Sequence, residues 1–234
     1  MRARYDWVLL DADRTLFDFD RSEQMSIRQT LRHYGIADDQ ETVERYLQVK
    51  HQVWAQFDRG ELAQDRLGRE RFARFLRLME VEGPDPEEMN LYYLNGLARY
   101  PYLLEGAEEL CRRLAPHCRL AIVTNGLTAA QTGRLAASRL RDVIGHLFIS
   151  QQLGLQKPDP AYFSKVFQTL GIRQQDKART VIVGDSLSSD IQGGINAGID
   201  TIWFNPQGKK SPDGVKISCI APTLEAVGEF ILNI

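Results

Sequence analysis

Residues 5–10 form a short apolar run that stops at Asp11. A run of this length, bounded by a charge, fits a buried strand. The pattern then changes. Between about residues 20 and 95 the apolar positions recur at helical spacing. Val43, Tyr46, Leu47, Val53, Trp54 and Phe57 share one stripe, and Leu67, Phe72, Phe75, Leu76 and Met79 share another. The charged residues of this block read, for the most part, as the solvated faces of its helices. Gly83-Pro84-Asp85-Pro86 divides the block in two. From residue 102 onward the pattern alternates. Strands are predicted at 119–124, 147–150, 180–184 and 201–205, with helices near 106–114, 127–140, 160–170, 189–197 and 223–232.

Alternation at this spacing implies βαβ units. The expected fold is α/β: a doubly wound, mostly parallel sheet of Rossmann-like form, interrupted after its first strand by an all-helical insertion. The domain boundaries that follow are 1–17 with 96–234 for the α/β core and 18–95 for the helical domain.

Composition narrows the function classes. With 29 Lys plus Arg against 31 Asp plus Glu, the net charge is −2, which disfavours a nucleic-acid polymer as partner. A hydrophobic share of 43% with 26% charged residues is that of an ordinary folded protein. No apolar run approaches the ~18 residues of a membrane helix, and the stretch ending at Asp11 is too short for a signal-peptide core. Cys111, Cys118 and Cys219 are odd in number and match no zinc spacing, so they read as thiols of a reducing compartment. A cytoplasmic protein is expected, monomeric or homodimeric.

In open parallel sheets ligands bind beyond the carboxyl ends of the strands. Here those ends are followed by Asp11-Ala12-Asp13-Arg14-Thr15, by Thr124-Asn125-Gly126, by Lys157-Pro158, and by Gly184-Asp185-Ser186 with Asp190 five residues past Asp185. Singly, each has a plainer reading. Asp11, Asp13 and Asp185 suit turns, Thr124 a strand end, Lys157 a surface turn, and Asp190 a helix N-cap. Together, carboxylates converging on one sheet edge are costly unless a cation or a proton neutralises them. They predict a hard divalent metal held by oxygens, with room for a phosphate.

Asp11-Ala12-Asp13-Arg14-Thr15-Leu16, Thr124, Lys157 and Gly184-Asp185…Asp190 resemble, in order, the four motifs of the haloacid-dehalogenase-like hydrolase superfamily. The helical insertion resembles that superfamily's cap domain. A closer resemblance is to its bacterial pyrimidine-nucleotide 5′-nucleotidases. It rests on Thr15-Leu16-Phe17, Trp54-x-x-Phe57-x-x-Gly60-x-Leu62, Arg71-Phe72, Ile122-Val123-Thr124-Asn125-Gly126 and Asp190-Ile191-x-Gly193-Gly194-Ile195-Asn196-Ala197-Gly198. Arg14 departs from the pattern, since those relatives usually carry an acidic residue there and the wider superfamily a glycine.

The resemblance implies a Mg2+-dependent phosphate-monoester hydrolase, with Asp11 as nucleophile and Asp13 as acid and base. Thr124, Asn125 and Lys157 would hold the phosphate. Asp11, the Asp13 backbone carbonyl, Asp185 and Asp190 would serve the metal, Asp190 through water or by orienting Lys157. The implied substrate is a small phosphorylated molecule, a pyrimidine nucleoside monophosphate; of the cap aromatics Trp54, Phe57, Phe72, Tyr92 and Tyr93, most read as cap core, with one or two left to stack on the base. The alternatives are a phosphosugar or phosphoglycolate phosphatase, a phosphosugar mutase, and a non-catalytic phosphate- or nucleotide-binding module. A haloacid dehalogenase has no use for a second carboxylate at Asp13. A response-regulator receiver is about half this length. Gly193-Gly194-x-x-x-Gly198 does not fit a dinucleotide fingerprint and reads as close helix–sheet packing.

Overall fold

The computed structural model describes residues 3–234. Its sheet has six strands: β1 (Trp7–Leu10), β2 (Arg119–Thr124), β3 (His146–Ile149), β4 (Thr180–Gly184), β5 (Asp200–Phe204) and β6 (Cys219–Ala221). All neighbours are parallel, in the order β3-β2-β1-β4-β5-β6. The strand order therefore turns outward in both directions from β1, and β1 and β4 flank the switch point where α/β sheets open a crevice. The edge strand β6 is absent from the sequence pattern. Its three residues, Cys-Ile-Ala, are too few to show a period, and Pro222 follows at once.

Both faces of the sheet are covered. Val8 and Leu10 point to one face, where Leu110, Cys111 and Leu114 of α5 (Ala107–Leu114) and Val227 and Ile231 of α10 (Leu224–Leu232) complete a core. Trp7 and Leu9 point to the other, against Tyr162, Phe163, Val166 and Phe167 of α8 (Pro160–Leu170). Alternate burial of successive side chains on opposite faces is the strand period at work. The remaining helices of this unit are α6 (Thr128–Ala137), the four-residue α7 (Ser150–Leu153) and α9 (Gln192–Ala197). A β-carbon on Gly194 would lie 2.5 Å from Thr201 and 2.6 Å from Ile182, so the expected close helix–sheet contact is present.

The chain divides into two compact units, Met1–Phe19 with Pro101–Ile234, and Asp20–Tyr100. The second is helical: α1 (Phe19–His33), α2 (Gln40–Asp58), α3 (Leu67–Leu78) and α4 (Pro86–Arg99). The boundary expected at 95–96 falls inside α4, because the buried stripe of Met89, Tyr93, Leu94 and Leu97 continues past it. The helix stops before Pro101, whose ring disfavours helical backbone at Tyr100. At the other end of α4, Asp85 caps the Glu87 and Glu88 amides and Pro86 takes the first turn, which explains why the Gly-Pro-Asp-Pro cluster is a break.

Tyr46, Val53, Phe57, Phe72, Phe75 and Tyr93 form the interior of the helical unit. Trp54 and Tyr92 are half-buried, and Tyr92 stacks on His33 at 4.1 Å. Among the described residues, three charges depart from the solvated-face reading: Glu23, Lys50 and Arg71 are buried. Lys50 pairs with Glu23, whose other oxygen accepts from the Tyr93 hydroxyl at 2.8 Å. The Arg71 guanidinium lies 4.4 Å from the Tyr93 ring centroid.

Candidate active site

Asp11 is the first residue beyond β1, and its amide still donates to Val183 on β4 at 2.9 Å. That bond fixes Asp11 at the switch point between the two strands. The residue is 7% exposed, and its carboxylate accepts from Lys157 Nζ at 2.6 Å. The same ammonium donates to Asp190 Oδ1 at 2.6 Å and to the Val123 carbonyl at 2.8 Å. Three donors meet three acceptors, so the buried lysine is fully satisfied. Burial alone would push its pKa down, but Asp11 and Asp190 outweigh burial and hold it above the ordinary lysine value.

Lys157 reaches this place from a loop separated from β3 by α7, a short helix that the strand-then-loop expectation lacks. The loop is tied down by Asn125. Its side-chain amide donates to the Lys157 carbonyl at 2.8 Å and its side-chain oxygen accepts from the Lys157 amide at 2.9 Å. Asn125 thus joins the end of β2 to the lysine loop. Thr124, 1% exposed at the end of β2, accepts from the Gly126 amide at 3.0 Å.

Asp190 is wholly buried, and it is not the helix cap. That role belongs to Ser186, whose hydroxyl accepts from the Ser189 amide at the start of the helical turn Leu187–Ile191 that leads into α9. Asp190 instead accepts from the Ser186 amide through Oδ2 at 3.0 Å while Oδ1 holds Lys157. A β-carbon on residue 184 would sit 2.2 Å from the Asp190 carboxyl carbon, so the glycine of Gly184-Asp185 is what lets Asp190 in.

Asp11, Asp185 and Asp190 each place a carboxylate oxygen within 4.8 Å of the other two. Burial, with added repulsion from Asp190, raises the Asp185 pKa to about 6, opposed by Arg14 and Lys157. Burial also pushes Asp11 well above the carboxylate range, Lys157 opposing and the three other aspartates adding to it. Three carboxylates against one ammonium leave an excess of negative charge in a low-dielectric place. Carboxylates so raised are ones a cation would return to the ionised form, and an all-oxygen set suits a hard ion.

Asp13 is engaged separately. Its Oδ2 accepts from Gln131 at 2.8 Å and its Oδ1 from Arg134. Neither partner is evident from the sequence, because both lie in the 127–140 pattern that reads as an ordinary amphipathic helix. Their spacing of three on α6 puts them on one face. Arg14 has φ 62°, in the left-handed region that favours glycine, so the backbone here is one that a glycine would adopt without strain.

Residues 5–198 match the family model of the haloacid dehalogenase-like hydrolases. The chain belongs to that family. It is 39% identical over 203 residues, 86% of this chain and 84% of the relative, to the pyrimidine 5′-nucleotidase PynA of Streptococcus pneumoniae. It is 32% identical to the pyrimidine 5′-nucleotidase YjjG of Escherichia coli, covering 94% of this chain and 92% of that one. Among solved structures, the magnesium-bound putative HAD-hydrolase YfnB of Bacillus subtilis superposes with a TM-score of 0.89 at 32% identity, covering 99% of this chain and 100% of that one. The L-2-haloacid dehalogenase of Xanthobacter autotrophicus, at a TM-score of 0.75 and 19% identity, shares the fold.

Proposed function

We propose that the chain hydrolyses phosphate monoesters through an aspartyl-phosphate on Asp11, and that its substrates are pyrimidine nucleoside 5′-monophosphates. The observation that carries the chemistry is the pairing of a buried, lysine-bonded Asp11 with a second, separately held carboxylate at Asp13. A displacement at phosphorus needs both a nucleophile and a proton source for the leaving oxygen. The substrate class rests on the two nucleotidase relatives, each matched over most of both chains.

In the first step an Asp11 oxygen forms a bond to phosphorus and the bond to the ester oxygen breaks. Asp13 gives its proton to that oxygen, which leaves as the nucleoside 5′-hydroxyl. In the second step Asp13, now ionised, takes a proton from water as the water oxygen attacks phosphorus, releasing phosphate and restoring the Asp11 carboxylate. Lys157 orients Asp11 and adds positive charge near the phosphoryl oxygens, and Thr124 with the amides around Asn125 supplies donors to them. Asp11, the Asp13 carbonyl, Asp185 and Asp190 would serve a Mg2+ ion, whose chemistry is to neutralise charge on the transferring group. Asp190 acts through Lys157, which it holds in place.

The test is a phosphatase screen with Mg2+ over UMP, dUMP, dTMP, ribose 5-phosphate and phosphoglycolate. Base contacts worth about 1.4 kcal/mol predict a kcat/KM at least roughly tenfold higher for dUMP or dTMP than for ribose 5-phosphate. Equal turnover of ribose 5-phosphate or phosphoglycolate would reject the nucleotide assignment and leave the phosphatase. Undiminished turnover in EDTA would reject the site.

A further inference from the structure

We infer that Arg134 and Gln131 are positioning residues for the acid–base carboxylate, clamping Asp13 in the orientation its proton transfers require. The inference rests on the phosphatase reading above and adds two residues to it.

Asp13 projects from a tight turn after β1, in which the Leu16 and Phe17 amides both donate to the Ala12 carbonyl. Its side chain is about a quarter exposed, so burial alone does not fix its rotamer. What fixes it is a donor on each oxygen, Gln131 on Oδ2 and Arg134 on Oδ1. A carboxylate held at one oxygen can still swing about that bond, whereas one held at both cannot. General acid–base catalysis needs the carboxyl within hydrogen-bond reach of the leaving oxygen and then of the attacking water. A displacement of about 1 Å at such a group can cost roughly 10²-fold in rate.

Arg134 is an unusual residue to spend on structure alone. Its side chain is fully buried, and its Nε and Nη1 find no acceptor among the described residues. The guanidinium is flanked by Phe17, with 5.0 Å to the ring centroid, and by Phe19, at 5.6 Å. Asp13 is the hydrogen-bond partner the structure gives it. Gln131, 2% exposed, is equally specific in its placement. It crosses directly over Gly126, where an added β-carbon would lie 2.1 Å from its amide nitrogen. The glycine after Thr124-Asn125 therefore has a role that the phosphate-binding motif does not explain: it admits the glutamine that reaches Asp13.

The test compares leaving groups. Proton donation matters most for a poor leaving group such as the nucleoside of dUMP and least for p-nitrophenolate. Arg134→Met is expected to lower kcat for dUMP by about 10- to 100-fold and kcat for p-nitrophenyl phosphate far less. In an Asp13→Asn background the same substitution is expected to add almost nothing, because residues acting through one group are not additive. Gly126→Ala, which displaces Gln131 while leaving Arg134 in place, provides a second variant should Arg134→Met fold poorly. It should show the same leaving-group dependence in weaker form. Equal losses for both substrates, or full losses added on top of Asp13→Asn, would overturn the positioning role while leaving the phosphatase reading standing. If Asp13→Asn itself shows no leaving-group dependence, the acid–base assignment falls and the inference falls with it.

Discussion

Lys157 in the α/β unit and Lys50 in the helical unit are both buried, 2% and 4% exposed, and each pairs with a buried carboxylate. The two settings differ in their balance of charge. Beside Lys50 lies the Glu23 carboxylate with both oxygens occupied, one by the lysine and one by the Tyr93 hydroxyl, and the Arg71 cation lies close to the same tyrosine. Around Lys157 stand Asp11, Asp190 and, within reach of both, Asp185. The first cluster is closed in the sense that each oxygen of the Glu23 carboxylate already has a donor. The second carries more negative charge than its lysine can offset, and the raised pKa values of Asp11 and Asp185 are the physical sign of it. A buried ion pair in itself therefore says little about function. The unbalanced one is the candidate site.

The comparison can be broken most forcefully at Asp11. Asp11→Asn removes one negative charge and the nucleophile, and turnover is expected to fall by roughly 10⁴-fold or more, with no phosphoenzyme in acid-quenched samples. A smaller loss would mean that the excess charge serves something other than covalent catalysis. Glu23→Gln probes the closed cluster. It takes the Glu23 charge away from the buried Lys50, and removing one partner of a buried pair costs about 3–5 kcal/mol. The melting temperature should drop and should not recover selectively on adding Mg2+. A Mg2+-dependent rescue of Glu23→Gln beyond that of the wild type would show that the closed cluster also communicates with a metal.

Asp185 gives a smaller effect of opposite sign. Its folded pKa, raised from 3.8 to about 6, means that the folded, metal-free chain retains a proton the unfolded chain has released between those values. The unfolded state then binds fewer protons, so stability falls as pH rises through that window and stays lower above about pH 6. Asp185→Asn abolishes this term. In chelator at pH 7 it should stabilise the chain by about 3 kcal/mol at most, with the gain vanishing below about pH 4. A destabilised Asp185→Asn at pH 7 in chelator would contradict the excess-charge account.

The same contrast shows what the sequence makes legible. The sheet is readable because its strands are continuous apolar runs, and the site is readable because Asp11, Thr124 and Asp185 sit where such runs end, with Lys157 and Asp190 in the segments that follow. Asp11, Thr124, Lys157, Asp185 and Asp190 could all be named that way. Lys50 and Glu23 could have been flagged by the same logic, since Lys50 falls on the stripe of Tyr46, Val53 and Phe57, and Glu23 lies four residues before Ile27 on the buried face of α1. A charge on an apolar stripe needs a partner, but nothing in the spacing says which. Arg134 and Gln131 are harder, because their link to Asp13 spans more than a hundred residues and depends on where α6 lies over the turn after β1. The edge strand β6 is held by its pairing with β5, which no local pattern encodes.

The most direct measurement is a calorimetric titration of Mg2+ into the full chain, run on the wild type, Asp185→Asn and Glu23→Gln across pH 5 to 8. The account predicts one ion bound by the wild type and by Glu23→Gln, with affinity rising and protons released as pH passes about 6. It predicts binding lost or greatly weakened in Asp185→Asn. Unchanged binding by Asp185→Asn, or an equal loss in Glu23→Gln, would contradict the claim that the unbalanced carboxylates at the sheet edge form the metal site.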